Sequence, residues 1–275
     1  MGKKAKWHPI EWTPQKITRF WDFAAEWEPW QEDYFSKLMG EGIINFIKYL
    51  VPLKGLIIDY GCGPGYLLER LLKEGARCMG IDSSPESVDR LNNKFKGHAL
   101  WEGAYVSDRD DLSLKNTNAD LVLCIETLEH LLPFQIDNLL SDMKDLIKPE
   151  IGRLFITVPN SENLAFNQVY CADCGCVQHR FQHISSFTPQ GLQALLSEHG
   201  FRTILCITTD FTRFKKRKPL EPVNWSFRYL LDNLQHIRDT ILDMLNYPGS
   251  PLGGRHFNRL LGTAGPHLIW LGDKP

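Results

Sequence analysis

The chain has 275 residues, 43% of them hydrophobic, and its 31 basic against 33 acidic side chains leave a net charge of −2. That length buries a full core as one large domain or as a domain with a cap, and the balanced charge gives no general reason to expect nucleic acid or an anionic membrane as partner. No apolar run approaches the roughly 20 residues of a membrane span, and the opening MGKKAKWHPIEW lacks the apolar centre of a signal peptide, so a cytoplasmic location is the default expectation.

Five of the eight tryptophans, Trp7, Trp12, Trp21, Trp27 and Trp30, fall within the first 30 residues. Phe20, Trp21, Phe23, Ala24 and Trp27 recur at roughly helical spacing until Pro29 stops the pattern. A helical, aromatic-rich cap over residues 1–50 is expected.

Leu56 to Leu68, LIIDYGCGPGYLL, reads as a strand, a tight turn and a helix. Such a turn offers backbone N–H groups at the positive end of a helix, and Gly61, Gly63 and Gly65 remove the side chains that would keep a ligand from the backbone. The dinucleotide fingerprint is G-x-G-x-x-G with an acid about 20 residues further on. Here the third glycine arrives one position early and Tyr66 stands where the dinucleotide glycine belongs. Asp59 just before the turn suits a cofactor carrying a positive amino group better than a pyrophosphate. Asp82 ends a second apolar run, CMGID, 21 residues after Gly61, where it can accept from both hydroxyls of a ribose.

Acid, G-x-G-x-G turn and ribose acid together resemble the class I S-adenosylmethionine (SAM)-dependent methyltransferases. The resemblance implies an α/β fold: a Rossmann-like, doubly wound, mostly parallel seven-stranded sheet with an antiparallel last strand, plus helical caps. It implies SAM as cofactor, held at Asp59, Gly61, Cys62, Gly63, Gly65, Asp82 and Ser83. Ser84 is a natural N-cap before Pro85 for the next helix. Asp108 sits where the family carries an acid for the adenine amino group, with Asp110 and Asp111 as close competitors.

Ala119 to Leu131, ADLVLCIETLEHL, is similar to the family's fourth strand and the E-x-x-E-H segment of small-molecule methyltransferases, including those of ubiquinone biosynthesis. Ile125 is taken as a further cofactor contact. Glu126, Glu129 and His130 follow that strand and so lie near the mouth where the methyl should emerge. His130 is the candidate base, because an unperturbed imidazole titrates near pH 6.5; the alternative is that Glu129 and His130 only brace a helix start. Gly152 to Asn160, GRLFITVPN, reads as the fifth strand.

Of the seven cysteines, Cys62, Cys78, Cys124 and Cys206 fall in strands or the cofactor turn, as small buried residues do. The other three lie in Tyr170 to His183, YCADCGCVQHRFQH, which contains C-x2-C-x4-H-x3-H. Thiolate and imidazole are the ligands of a closed structural zinc site. The expected set is Cys171, Cys174, His179 and His183, with Cys176 as alternative thiolate, pinning the long excursion after the fifth strand over the active site. The competing reading comes from the resemblance, in which a histidine before an F-T helix start faces the substrate cavity, as His183 stands before Phe187-Thr188.

Thr188 to Phe201 is the next helix, with Thr188 as cap, Pro189 in the first turn and Gly200 at the stop. Arg213 to Pro219, RFKKRKP, is a basic loop, best read as solvated. Asn224 to Asn246 keeps an i, i+3, i+4 apolar rhythm and reads as a helix. His267 to Gly272 is the last strand, which the resemblance places antiparallel beside the sixth. The organisation is then a cap (1–50), a SAM-binding core (51–210) containing the Cys/His loop (161–187), a helical insertion (211–264) and the final strand (265–275). The resemblance further implies that the tryptophan-rich cap roofs the cleft and that a methyl group moves by in-line displacement to a small-molecule acceptor. A zinc-containing nucleic-acid-binding module or an NAD-linked oxidoreductase is the alternative; the first lacks a basic face, and the early third glycine and Asp59 disfavour the second.

Overall fold

The computed structural model describes residues 7–107, 117–215 and 265–275. The chain opens with β1 (His8–Pro9), then α1 (Pro14–Glu26), α2 (Glu28–Gln31) and α3 (Phe35–Leu50). Strands and helices then alternate: β2 (Leu56–Tyr60), α4 (Tyr66–Lys73), β3 (Arg77–Asp82), α5 (Pro85–Lys94), β4 (Trp101–Val106), β5 (Leu121–Ile125), α6 (Pro133–Leu146) and β6 (Arg153–Pro159). A hairpin, β7 (Gln168–Tyr170) and β8 (Cys176–His179), precedes α7 (Pro189–Glu198), β9 (Arg202–Thr209) and β10 (His267–Asp273). The basic loop beyond Lys215, the 224–246 helix and Asp108 lie outside the described residues.

Seven strands form one sheet in the order β4-β3-β2-β5-β6-β10-β9, parallel except for β10, which runs antiparallel to both of its neighbours. The expected Rossmann-like sheet with an antiparallel last strand is therefore present. β2 and β5 are buried at every position, as continuous apolar runs such as LIIDY and LVLCI require when helices cover both faces. Alternate side chains feed two cores: Ile57 packs with Phe46, Leu68, Phe155 and Ile269 on one face, and Ile58 with Leu140, Leu154, Leu192 and Trp270 on the other. Chain order reverses between β2 and β5, and in open α/β sheets ligands bind in the crevice at the carboxyl ends of such a pair.

Local chemistry sets the helix starts. Ser84 and Thr188 accept from the N–H groups of Ser87 and Gly191 at 3.2 and 3.1 Å, each followed by proline in the first turn. Two boundaries differ from expectation. α1 ends at Glu26, and Pro29 sits in the first turn of α2 instead of ending α1. α3 belongs to the core, not the cap, because Ile43, Phe46 and Ile47 are fully buried against the sheet; the cap proper is α1 and α2. The excursion after β6 is also more ordered than a loop: β7 and β8 pair antiparallel, and β1 adds parallel to β8, fastening the amino end to the excursion.

Candidate active site

At the carboxyl ends of the strands lies a cavity of about 570 Å³. One wall is the turn after β2. The N–H groups of Gly61 and Cys62 both donate to Ile81 O, at 2.8 and 3.2 Å, which ties the turn to β3. Gly61 has φ of 78°, and a Cβ there would stand 2.6 Å from Thr127 Oγ1, so neither the backbone nor the space admits a side chain. Asp82, at the end of β3, accepts from Gly63 N–H at 2.8 Å and from Ser84 N–H at 3.0 Å, one bond on each oxygen. An ionised carboxylate has about four lone-pair sites, so Asp82 keeps acceptor capacity for ribose hydroxyls. The residues present fit a nucleoside-bearing cofactor on these grounds.

Of the expected cofactor contacts, Gly61, Cys62, Gly63, Asp82, Ser83 and Ile125 line the cavity. Asp59 and Gly65 do not. Asp59 is 3% exposed inside β2, and burial, aided by the charge of Asp82, pushes its carboxyl up to about 7. Gly65 is the N-cap of α4, in the left-handed region and packed against Leu91.

The opposite wall follows β5. Glu126 turns the chain with φ of 47°, a strained value for a residue with a side chain, and a buried 3-10 turn, Leu128–His130, comes next. Glu129 is fully buried, and neither carboxylate oxygen has a hydrogen-bond partner among the described residues. Burial drives its pKa well above the carboxylate range, with Glu126 adding to the effect, and lifts Glu126 to about 8. Burial thus favours the neutral form of both acids. Burial, reinforced by His183, pushes His130 down to about 3, so its imidazole is neutral. The three residues named from E-x-x-E-H all line the cavity, together with His183.

Two groups escaped the sequence reading. Glu162, two residues past the PN that ends the fifth strand, contacts His183 Nδ1 through Oε2 and lies 3.3 Å from His179 Nε2 through Oε1. Gln182, fully buried with φ of 61°, donates to His130 O at 2.9 Å and accepts from Trp21 Nε1–H at 2.7 Å. This bridge carries α1 onto the 3-10 turn, where the Trp21 ring meets that of His130 edge-on at 4.7 Å. Trp21 and Trp30 line the cavity, whereas Trp7 and Trp27 are exposed. The only signal for Glu162 and Gln182 was adjacency to residues already singled out.

The expected zinc set does not converge. Cys171 and Cys174 are exposed at the tip of the β7–β8 hairpin, while His179 is buried at its base opposite Gln168. Extended chain rises about 3.3 Å per residue, and β8 holds the tip and base apart by its own length. Among the described residues, the donor atoms that do converge are those of Glu162, His179 and His183, and those of Glu129, His130 and His183. In the first trio His179 Nδ1 accepts the His183 backbone N–H at 3.2 Å, so neutral His179 carries its proton on Nε2, where a metal would need a lone pair.

A doubly wound sheet with an acid-anchored glycine turn at its switch point, and a cavity opening over it, defines a Rossmann-like enzyme that binds a nucleoside cofactor. The family described as a methyltransferase domain matches residues 30–205, and the chain belongs to it. It is 30% identical over 156 residues to a ubiquinone biosynthesis O-methyltransferase of Coxiella burnetii, covering 55% of this chain and 64% of the relative. It is 36% identical over 132 residues to the corresponding protein of Xylella fastidiosa, covering 45% and 50%. The chain thus spans less than two thirds of these relatives. The fold is similar to that of 1,6-didemethyltoxoflavin-N1-methyltransferase from Burkholderia thailandensis, solved with its namesake ligand and S-adenosylhomocysteine, at TM-score 0.55 and 16% identity over 97% of this chain and 93% of that one. It is also similar to an S-adenosylmethionine-dependent methyltransferase from Clostridium acetobutylicum, at TM-score 0.54 and 12% identity over 94% and 98%.

Proposed function

We propose that this chain transfers the methyl group of SAM to a small-molecule acceptor by in-line displacement. The observation that carries the reading is one cavity with two unlike walls. The turn and Asp82 offer backbone space and ribose acceptors on one side, and Trp21, Glu129, His130 and His183 face them on the other. SAM, when bound, supplies an activated methyl on a good leaving group. What remains for the protein is to hold the nucleophile in line and exclude water, and positioning of this kind contributes roughly 7–11 kcal/mol to such reactions. Gly61 to Gly63 and Asp82 to Ser83 hold the cofactor, Ile125 marks the passage between walls, and the Trp21–Gln182–His130 bridge shapes the acceptor side. The names of the relatives above support a metabolite as acceptor.

A reducing, cytoplasmic setting belongs to the same proposal, supported by seven unpaired cysteines, two of them exposed; among the described residues no helix is long and apolar enough to cross a membrane. A structural zinc on Cys171, Cys174, His179 and His183 is left out of the proposal, because the hairpin separates the thiols from the imidazoles. Isothermal titration with SAM, S-adenosylhomocysteine and NAD tests the reading: binding of both adenosyl ligands and not of NAD is expected. Binding of NAD alone would move the chain to the oxidoreductase class.

A further inference from the structure

We propose that His183 is the general base of this methyl transfer, held in its working tautomer by Glu162, a positioning residue, which His179 braces from behind. The inference rests on the methyl-transfer reading above and narrows its acceptor to a protic nucleophile, a hydroxyl or an amine.

The direction of each hydrogen bond fixes the protons. His179 Nδ1 accepts the backbone N–H of His183 at 3.2 Å, so its single proton sits on Nε2, which lies 3.3 Å from Glu162 Oε1 without completing a hydrogen bond. Asn167 Nδ2 donates to that same oxygen at 3.0 Å. Glu162 Oε2 receives His183 Nδ1. Burial alone would raise the Glu162 carboxyl, but the bonds from His183 and Asn167, with the charges of His183 and His179, together hold it below its ordinary range. His183 must then carry its proton on Nδ1, which leaves Nε2 as a lone pair. His183 lines the cavity, and Nε2 has no partner among the described residues.

The groups that face His183 are Glu162 and His179 from the excursion and Glu129 and His130 from the 3-10 turn. None of the latter pair competes well as a base. Glu129 is fully buried with neither oxygen hydrogen-bonded among the described residues, and His130, whose Nδ1 likewise has no partner there, has no hydrogen-bonded carboxylate to receive the positive charge that proton uptake creates. His183 does, and that is the service a carboxylate performs for a catalytic imidazole.

The step balances. His183 Nε2 takes the proton of the acceptor O–H or N–H, and the electron pair so freed forms the bond to the methyl carbon. The carbon–sulfur bond breaks with its pair going to sulfur, giving S-adenosylhomocysteine. The imidazolium, neutralised by Glu162, returns its proton to solvent.

The test begins with calorimetric SAM binding by the wild type, His183→Gln and Glu162→Gln. Affinities within about threefold of one another are expected; a wild type that does not bind SAM would sink the methyl-transfer reading itself, separately from this inference. The imidazole nitrogen–proton correlation spectrum of the 15N-labelled protein then reads the tautomers. Nδ1–H on His183 and Nε2–H on His179 support the proposal, and Nε2–H on His183 overturns it whether or not an acceptor is in hand. Turnover of labelled SAM is followed with a panel of phenols, catechols and primary amines. His183→Gln should lower kcat by about 10²–10⁴-fold, the usual worth of a general base, with KM for SAM unchanged. Since burial holds His183 below 6.5 while Glu162 opposes it, the wild-type rate should rise with pH through a limb below 6.5. Glu162→Gln removes the opposing charge and should move that limb to more acid pH. A His183→Gln variant within threefold of wild type overturns the proposal, as does activity abolished by chelator and restored by a divalent cation, which would assign His183 to a metal.

Discussion

The two walls of the cavity are made differently. The proposed cofactor wall comes from one continuous stretch, Gly61 to Ser84, and its working parts are backbone N–H groups and one carboxylate, tied by the main-chain bonds of Gly61 and Cys62 to Ile81 O and by the bonds from Gly63 and Ser84 N–H to the Asp82 carboxylate. The wall proposed to meet the acceptor is assembled from α1, the 3-10 turn after β5, Glu162 and the segment after β8, and it is held by side-chain contacts across 161 residues of chain in the case of Trp21 and Gln182. A wall built from backbone depends on spacing, and so it tolerates little change. A wall built from side chains is more adjustable, and this is where relatives of one fold accept different substrates.

If that contrast is right, the largest effect should come from Gly61→Val. It places a β-branched residue at positive φ with its Cβ 2.6 Å from Thr127 Oγ1, and SAM binding should fall by more than about 100-fold in calorimetry, at a cost of about 1–3 kcal/mol in strain alone. A Gly61→Val protein that binds SAM normally would mean the turn is not the cofactor wall. Next is Asp82→Asn, which weakens the anchors from Gly63 and Ser84 and the acceptor for a ribose. A charge-assisted hydrogen bond is worth about 1.5–3 kcal/mol, so SAM affinity should drop about 10- to 100-fold while the melting temperature changes far less.

On the other wall, Trp21→Phe removes the bond to Gln182 and keeps most of the ring. A loss of about 1 kcal/mol is expected, read as a several-fold rise in KM for the acceptor with the SAM affinity unchanged. Equal weakening of both ligands would show the two walls to be one cooperative unit.

The same contrast explains what the sequence made legible. The glycine turn and Asp82 are legible because each is encoded within a few residues by apolar runs and spacing, whereas the sheet topology and the antiparallel last strand follow only from the family resemblance those residues carry. Phe35 to Leu50 adjoins the aromatic-rich amino end in sequence, yet its Ile43, Phe46, Ile47 stripe packs against the sheet, a partner that nothing local in the chain marks. Asp59 has the position of a ligand contact in the sequence, and the structure places it buried in β2, outside the residues that line the cavity. Glu162 was invisible, since nothing local marks a carboxylate that acquires its meaning from two histidines 17 and 21 residues away.

The smallest effect should belong to the residues whose spacing was most suggestive. Cys171 and Cys174 occupy a hairpin tip, and β8 carries the chain away from them before His179 and His183 turn toward Glu162. The spacing C-x2-C-x4-H-x3-H counts residues without regard to backbone shape, and an extended strand between the cysteines and the histidines defeats it. Replacing both cysteines with serine should therefore leave SAM affinity unchanged and the melting temperature within about 1 °C, because exposed positions away from caps and cores rarely exceed 0.5 kcal/mol. Zinc that co-purifies with the wild type, is lost from the double variant, and takes several degrees of melting temperature with it would show that the hairpin folds back on its histidines. In that case the acceptor wall would owe its shape to a metal and not to the Glu162 clasp.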